Sequence, residues 1–313
     1  MMRSMLSTLV LSLAALSLTT LSPAVSLPAA PEPDPDARWL DLPKQARQGS
    51  LVFGRVPIGT TVMLDQRRVR IADDGRLVFG VARDRTTPIV LHLVLPDASQ
   101  RQVVVAVTPY AWPTERVHGV PPSTVSPPPE VAARIAREQA QVAAARERDD
   151  PMRDFSTPMV WPVRGRISGR FGSQRIYDGT AGAPHSGLDI AAAEGTPVRA
   201  PAGGRISFAN GDLYLTGGTV VLDHGHGVSS NFLHLSRIDV AVGQRVEQGE
   251  LLGAVGATGR ASGPHLHWGM NWFDVRVDPL AVLEASPTAE RSPPITEAIS
   301  SSAIDAGGRD QDE

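Results

Sequence analysis

Two short stretches decide the fold and the chemistry of this chain: Pro184-His185-Ser186-Gly187-Leu188-Asp189 and, later, Gly263-Pro264-His265-Leu266-His267. The first stretch offers an imidazole and a carboxylate, and the second offers two imidazoles separated by one leucine. Neutral imidazole and carboxylate are common zinc ligands, and a catalytic zinc ion takes three protein ligands and keeps one position for water. The two stretches therefore predict one zinc site that is assembled from distant parts of the chain.

The second stretch is predicted to be a β-strand with both histidines on one face, because alternate side chains of a strand point to the same side. Three ligands are enough for a catalytic zinc ion, so one histidine of this pair stays free for chemistry. His234, on the apolar run 231–235, is a candidate for a second free histidine. The sequence has no HExxH motif, so an imidazole rather than a glutamate must assist the attacking water.

Three further residues near these stretches have open roles. His224 and His226 lie in a glycine-flanked turn, where a structural or groove-lining role is predicted. Arg170 is predicted to be either a loop anchor or a substrate contact. A purely structural zinc ion is an alternative for the whole site, but such sites are usually closed by four protein ligands, and no fourth ligand is evident.

Composition narrows the class of protein. The chain has 313 residues, enough for about two domains. The net charge of −3 provides no electrostatic footprint for nucleic acid. Cysteine is absent, which excludes disulfides and thiolate ligands and leaves only His, Asp and Glu to bind a metal.

The N-terminus carries the pattern of an export signal. Residues 1–26 are predicted to be a secretory signal peptide, with Arg3 before an apolar run and the small-residue cleavage site Ala24-Val25-Ser26. An uncleaved membrane anchor is the alternative, since the run is of marginal length for a span. Residues 27–45 are predicted to be a proline-rich linker.

The rest of the chain predicts a mainly β protein. Six short β-runs separated by turns indicate a small, immunoglobulin-like β-sandwich domain over residues 46–110. Residues 111–160 predict a proline-rich linker and a helix, which either couples the two domains or packs on the second one. Residues 161–284 are β-rich and punctuated by glycine, and residues 285–313 form a tail that cannot bury a core and is predicted to be disordered.

Residues 161–283 resemble the lysostaphin/LytM-type zinc metallopeptidases, which cleave peptide cross-links of bacterial peptidoglycan. The matched motifs follow the order and spacing of that family and are Arg170-Phe171-Gly172, His185-x-Gly187-x-Asp189, Gly195-Thr196-Pro197-Val198, His224-Gly225-His226-Gly227, Phe232-Leu233-His234-Leu235, Gly243-x-x-Val246-x-x-Gly249, Gly256-x-Thr258-Gly259 and Gly263-Pro264-His265-Leu266-His267. The sequence departs from the family at Phe232, where a tyrosine often stands.

The resemblance implies a role for each site residue. It implies zinc on His185, Asp189 and His267, with His265 and His234 beside the attacking water as base and transition-state stabiliser. It also implies an antiparallel β-sheet groove of the LytM/duplicated-hybrid-motif type.

The expected function is therefore that of an exported zinc metallo-endopeptidase that hydrolyses peptide bonds in peptidoglycan stem peptides or cross-links. The expected location is the periplasm, with no stable membrane insertion after signal cleavage and no nucleic-acid partner. The scissile bond stays open between a D-alanine–diaminopimelate link and a glycine bridge. The alternative function is a non-enzymatic peptidoglycan-binding or amidase-activator protein, which would be marked by the loss of zinc ligands.

Overall fold

The computed structural model describes residues 40–117, 128–177 and 180–285. The predicted signal peptide, most of the proline-rich segment before residue 45 and the predicted tail lie outside the described residues. The expected fold class is confirmed, since the described chain is mainly β, with one long helix between two β-rich parts. Within the described ranges, no helix is long and apolar enough to cross a membrane.

The N-terminal part forms a sandwich-like pair of sheets. Its strands are β1 (Gln45–Arg47), β2 (Leu51–Arg55), β3 (Thr61–Leu64), β4 (Arg67–Val69), β5 (Arg76–Gly80), β6 (Ile89–Val94) and β7 (Gln100–Thr108). One sheet has the order β1-β7-β6-β3-β4, and the other consists of the antiparallel pair β2 and β5. The alternation of buried and outward side chains in β6, where Ile89, Leu91 and Leu93 are buried, places the core on one face of the larger sheet.

The C-terminal part is built around a long antiparallel sheet. The remaining strands are β8 (Thr114–Val117), β9 (Arg166–Gly169), β10 (Gln174–Tyr177), β11 (Thr180–Ala181), β12 (Leu188–Ala191), β13 (Pro197–Arg199), β14 (Gly204–Leu213), β15 (Gly217–Gly225), β16 (Val228–Leu235), β17 (Arg237–Ile238), β18 (Arg245–Val246), β19 (Leu251–Ala254), β20 (His265–Trp272) and β21 (Val275–Val277). The main sheet has the order β18-β14-β15-β16-β20-β12-β9, and β21 also pairs with β20. Two smaller sheets, β13-β19-β17 and β11-β10-β8, complete this part. The second stretch of the sequence thus lies in a central strand, and the first stretch leads into its neighbour.

The two β-rich parts share one hydrophobic core. Arg47 forms an ion pair of 2.9 Å with Asp278, which directly precedes the short helix α2 (Pro279–Ala285). The Arg83 guanidinium donates two hydrogen bonds, of 2.9 and 2.7 Å, to the carbonyl oxygen of Gly172. The sandwich therefore packs directly on the second part and is joined to the loop that precedes the His185 stretch.

The long helix, α1 (Pro129–Arg146), packs on the C-terminal part through β14 and β15, which is one of the two roles that the sequence left open. Proline occupies its first turn, where a missing amide hydrogen costs no helical hydrogen bond. Arg134 pairs with Glu138 at 2.6 Å and donates to the Asp212 carbonyl at 2.8 Å. Glu138 in turn accepts a hydrogen bond from the Tyr214 amide. None of the helix residues is buried, so polar contacts with the β14–β15 turn hold this end of the helix.

The turn between β15 and β16 is held by contacts of buried polar groups. His224 is fully buried, and its two ring nitrogens bond the Gly203 carbonyl at 2.7 Å and the Ser230 hydroxyl at 2.8 Å. The His226 amide donates to the Asp150 carbonyl at 2.9 Å. Of the roles predicted for these two histidines, the structural one is the one that these contacts support.

We expect the buried carboxyl of Asp223, next to this turn, to make the stability of the folded protein depend on pH. Burial and the neighbouring Asp150 raise the pKa of Asp223 to about 6, although the Gly225 amide and Arg148 act in the opposite direction. A pKa raised above that of the unfolded chain means that stability from this group is present at low pH and is lost as the pH rises from about 4 through 6. Asp223→Asn removes the buried charge, so we expect its melting temperature to exceed that of the wild type by about 2–4 °C at pH 7.

At pH 4 the same substitution is expected to have little effect, because the Asp223 carboxyl is then neutral in the folded wild type. Calorimetric melting at both pH values measures the difference. Asp41→Asn, at an exposed position, is the matched control and should leave both melting temperatures unchanged. A gain for Asp223→Asn that is equal at pH 4 and pH 7 would show that the buried charge is not its cause.

Candidate metal centre

The register between β12 and β20 brings the two decisive stretches together. Asp189 lies directly opposite His267, and Ala191 lies opposite His265. Directly opposite residues of an antiparallel pair share one face of the sheet, and side chains alternate along each strand. Asp189, His267 and His265 therefore project from the same face, as the sequence predicted for the two histidines.

His185 reaches the same place from the loop before β12. Its amide donates to the Ser173 carbonyl, and its carbonyl accepts from the Gly172 amide, both at 2.9 Å. Its Nδ1 donates to the Arg170 carbonyl at 3.0 Å, and its Nε2 faces Asp189 and His267. Arg170 thus acts as a loop anchor through its backbone, a contact that side-chain chemistry in the sequence could not reveal.

The three side chains converge on one point. The Oδ1 atom of Asp189 lies 2.8 Å from His267 Nδ1 and 3.1 Å from His185 Nε2, and the two nitrogens are 3.2 Å apart. A tetrahedral ion with bonds of about 2.0–2.2 Å separates its ligand atoms by about 3.3–3.6 Å. The donor set and its spacing therefore fit one divalent metal ion after a small expansion, and these residues form a cluster that could hold a metal.

The protonation states suit metal binding. Burial opposes the charge of Asp189, but hydrogen bonds and charges from His185 and His267 hold the pKa of this carboxyl well below its usual range. Burial lowers the pKa of His267, although Asp189 acts against this. The centre thus offers one carboxylate and at least one neutral imidazole, which are the forms that a metal ion requires.

His234 reaches the centre because its backbone is left-handed. Its φ angle is 65°, a conformation that is uncommon for any residue other than glycine and concentrates at functional sites. Leu233 lies directly opposite His267 and shares its face of the sheet. In a regular strand the next residue, His234, would point to the other face. Instead, its ring centroid lies 4.8 Å from that of His265 and 6.3 Å from that of His267.

His234 and His265 are held in the same way. His234 Nδ1 donates to the Thr258 carbonyl and His265 Nδ1 to the Gly263 carbonyl, both at 2.8 Å. Each ring therefore keeps the hydrogen on Nδ1 and leaves Nε2 as an acceptor when it is neutral. Burial lowers the pKa of His234 to about 4, so this imidazole is neutral at pH 7. His265 Nε2 lies 3.8 Å from Asp189 Oδ1, beside the cluster of His185, Asp189 and His267.

A cavity of about 360 Å³ extends from His267 along the sheet to helix α1. Its floor includes Asn231, Gly269 and Asn271, and its opposite wall is one face of the helix. Sequence reasoning did not find the two asparagines, which bond each other at 2.8 Å. Asn271 lies four residues after His267 and so continues the alternation of β20, a signal that could have indicated it.

Comparison with known proteins agrees with this geometry. Residues 183–279, which include all five predicted site residues, match the sequence profile of peptidase family M23. The cell division protein DipM of Caulobacter vibrioides is 35% identical over 163 residues, which are 52% of this chain and 24% of that protein. The peptidoglycan DD-endopeptidase ShyA of Vibrio cholerae is 40% identical over 111 residues, which are 34% of this chain and 26% of that protein. This chain therefore spans about a quarter of the length of these curated relatives.

One solved structure is similar over most of the chain. A crystal structure of a Pseudomonas aeruginosa protein assigned to peptidase M23 has a TM-score of 0.59 and 32% sequence identity. The similarity covers 75% of this chain and 94% of that one. Because residues 183–279 amount to less than a third of the 313 residues, the similarity extends well beyond the part that matches the sequence profile.

The surroundings of Gly187 show that the centre has no room for a larger side chain at this position. A Cβ atom at this position would lie 2.6 Å from both His267 Nε2 and the Trp268 carbonyl oxygen. We expect Gly187→Ala to displace His267, to lower the free energy of unfolding by about 1–3 kcal/mol and to lower the bound-metal content. Thermal melting and elemental analysis of the purified protein measure the two effects.

Gly211→Ala is the matched control, because no atom lies within 4 Å of a Cβ placed there. It should keep both the melting temperature and the metal content of the wild type. A Gly187→Ala protein that also kept both would contradict the close packing of His267 against this glycine.

Proposed function

Because this chain belongs to peptidase family M23, we propose that it is an exported zinc metallo-endopeptidase that hydrolyses peptide bonds in peptidoglycan stem peptides or cross-links. The observation that carries this proposal is the convergence of His185, Asp189 and His267 on one point, with two further imidazoles beside it. The two further imidazoles, each held at Nδ1 by a backbone carbonyl, are suited to acid–base chemistry beside a metal ion.

His185, Asp189 and His267 hold the metal in this proposal. When bound, zinc supplies a Lewis acid for the scissile carbonyl and lowers the pKa of a water molecule to ~7. The strands β12 and β20 and the Arg170 carbonyl bring the three side chains together. Three ligands leave room for water and substrate, which is the pattern of a catalytic rather than a structural site.

In this proposal His265 and His234 accept and donate the proton. With Nδ1–H pinned to a backbone carbonyl, each neutral ring presents Nε2 as a base. His265 or His234 accepts a proton at Nε2 from the attacking water and becomes an imidazolium ion. The same Nε2–H can then donate to the oxyanion that develops on the substrate, or pass its proton to the leaving amine.

The substrate and the location are supported by chemistry and by relatives. One relative is named as a peptidoglycan DD-endopeptidase, and the sequence begins with the pattern of a secretory signal peptide. Peptidoglycan lies outside the cytoplasmic membrane, so export and substrate agree. The chain also lacks cysteine, which is compatible with an oxidising compartment.

The non-enzymatic alternative would require fewer of the residues found at this site. An activator or binding protein on this fold needs no complete ligand set and no free imidazoles, and the sequence was expected to mark it by loss of ligands. Here the ligand atoms of His185, Asp189 and His267 lie 2.8–3.2 Å from one another, and His234 is brought beside them by a left-handed backbone. Residues in this conformation are enriched at functional sites, which supports a role for His234.

The direct test is digestion of purified sacculi. We expect the wild-type chain to release muropeptides whose masses identify the cleaved bond, and we expect Asp189→Ala to release none. Treatment with a chelator should abolish release and added zinc should restore it, because the imidazole–carboxylate set binds zinc. Full release after thorough removal of metal would overturn the zinc mechanism.

A pair of substitutions separates ligand from base. We expect His267→Ala to lose bound zinc and activity together, since it removes one of three ligands. His265→Ala should keep zinc but lose activity by about 10²–10⁴-fold, the usual contribution of a general base. Elemental analysis and cleavage rates, measured on the same preparations, provide the comparison. Equal zinc content and equal activity in the two variants would contradict the assignment.

A further inference from the structure

The far end of the cavity contains two arginine side chains. Arg146, in the last turn of α1, and Arg276, in β21, both line the cavity that begins at His267. Arg276 lies directly opposite Asn271 in the β20–β21 register, so the two side chains share the floor's face of the sheet. The helix thus supplies one guanidinium and the sheet supplies the other.

Neither arginine has a partner in the parts of the chain that the structure describes. Arg146 is half-buried, and its Nε atom is fully shielded from solvent without any hydrogen bond. Burial lowers the pKa of Arg146, and the charge of Arg276 lowers it further, against smaller opposing effects of Glu147 and Asp274. A polar atom that is shielded from solvent normally has a hydrogen-bond partner, so an acceptor for the Arg146 Nε is missing from this end of the cavity, where the Arg276 side chain is exposed.

The nearby carboxylates do not fill that place. Glu147 and Asp274 lie 3.5 and 3.7 Å from Arg67. Glu138, which also lines the cavity, already pairs with Arg134 and accepts from the Tyr214 amide. A position in the last helical turn gives Arg146 some stabilisation from the helix dipole, but this does not explain why its shielded Nε has no acceptor or why a second arginine lines the same cavity.

We infer that Arg146 and Arg276 form a subsite that binds a free carboxylate of the peptide substrate. The inference rests on the proposed function, since it concerns the substrate of the same groove. A guanidinium matches a carboxylate through two parallel hydrogen bonds, and two guanidinium groups can clamp one carboxylate from the helix and from the sheet. Peptidoglycan stem peptides supply such groups on glutamate and diaminopimelate.

The distance from the metal centre suits a peptide. His267, Gly269 and Asn271 follow one another on the same face of β20 and line the cavity. Four residues of strand span about 13 Å, so the subsite lies within about four residues of the scissile bond of an extended substrate. Apolar side chains from the helix and the sheet border the path between them, namely Ile135, Val142, Leu213, Leu215 and Leu233.

Two synthetic cross-linked stem peptides test the inference. They differ only in whether the glutamate and diaminopimelate carboxylates are free or amidated. We expect the wild type to cleave the free form with a kcat/KM about tenfold or more above that of the amidated form, which is the usual effect of a hydrogen-bonded charge. Arg146→Gln and Arg276→Gln should each remove most of this preference, because each lowers kcat/KM for the free form toward that for the amidated form. Arg137→Gln, at an exposed position of the same helix, is the matched control and should keep the preference.

Binding is measured in parallel by titration calorimetry on the full-length His265→Ala chain, so that the subsite and the peptidase activity can fail separately. Cleavage of both peptides at equal rates would overturn the subsite and leave the peptidase proposal standing. Selective binding of the free form without any cleavage by the wild type would support the subsite and count against the peptidase. Faster cleavage of both peptides by Arg146→Gln would overturn the subsite, because the helix would then act only as a cover.

Discussion

The antiparallel register of β12 against β20 is the constraint on which the rest of the site depends. It places Asp189 opposite His267, and a slip of one residue would turn one of these side chains to the other face of the sheet. The buried neighbours Leu188, Ile190 and Leu266 resist such a slip, because each would have to leave the core. Hydrophobic packing on one face of the sheet therefore determines the coordination geometry on the other.

Backbone carbonyls provide the second layer of control. The carbonyls of Arg170, Thr258 and Gly263 each accept the Nδ1–H of one imidazole, which fixes the tautomer as well as the orientation of the ring. Because the acceptors are backbone carbonyls, none of these contacts depends directly on the identity of a side chain. The three carbonyls lie in loops, so the loops matter for chemistry through their backbone paths and the sheet matters through its register.

Much of this could be predicted from the sequence, and the misses have a physical reason. The period-two pattern of the second stretch correctly indicated a strand with two histidines on one face, and the β-runs near 51–54 and 89–95 match β2 and β6 closely. The short strands β8, β10 and β11 were not predicted, because β8 and β10 are defined by pairing between distant segments and β11 has only two residues. His234 was identified by its neighbours, but alternation points it away from the site. Its left-handed backbone is imposed by the tertiary structure, as its amide bonds the Thr216 carbonyl.

The long helix forms a wall of the groove that is only weakly attached to the sheet. Its apolar residues Ile135 and Val142 face the cavity, and no residue of the helix is buried, so the helix contributes little to the core. Its contacts with the β14–β15 turn are exposed ion pairs and hydrogen bonds around Arg134, and exposed pairs of this kind stabilise by only about 0–1 kcal/mol. The helix is therefore held less firmly than β12 and β20, the strands that carry Asp189, His265 and His267. In the proposed function, a weakly held wall with Arg146 at one end suits a groove that accepts an extended, carboxylate-bearing chain.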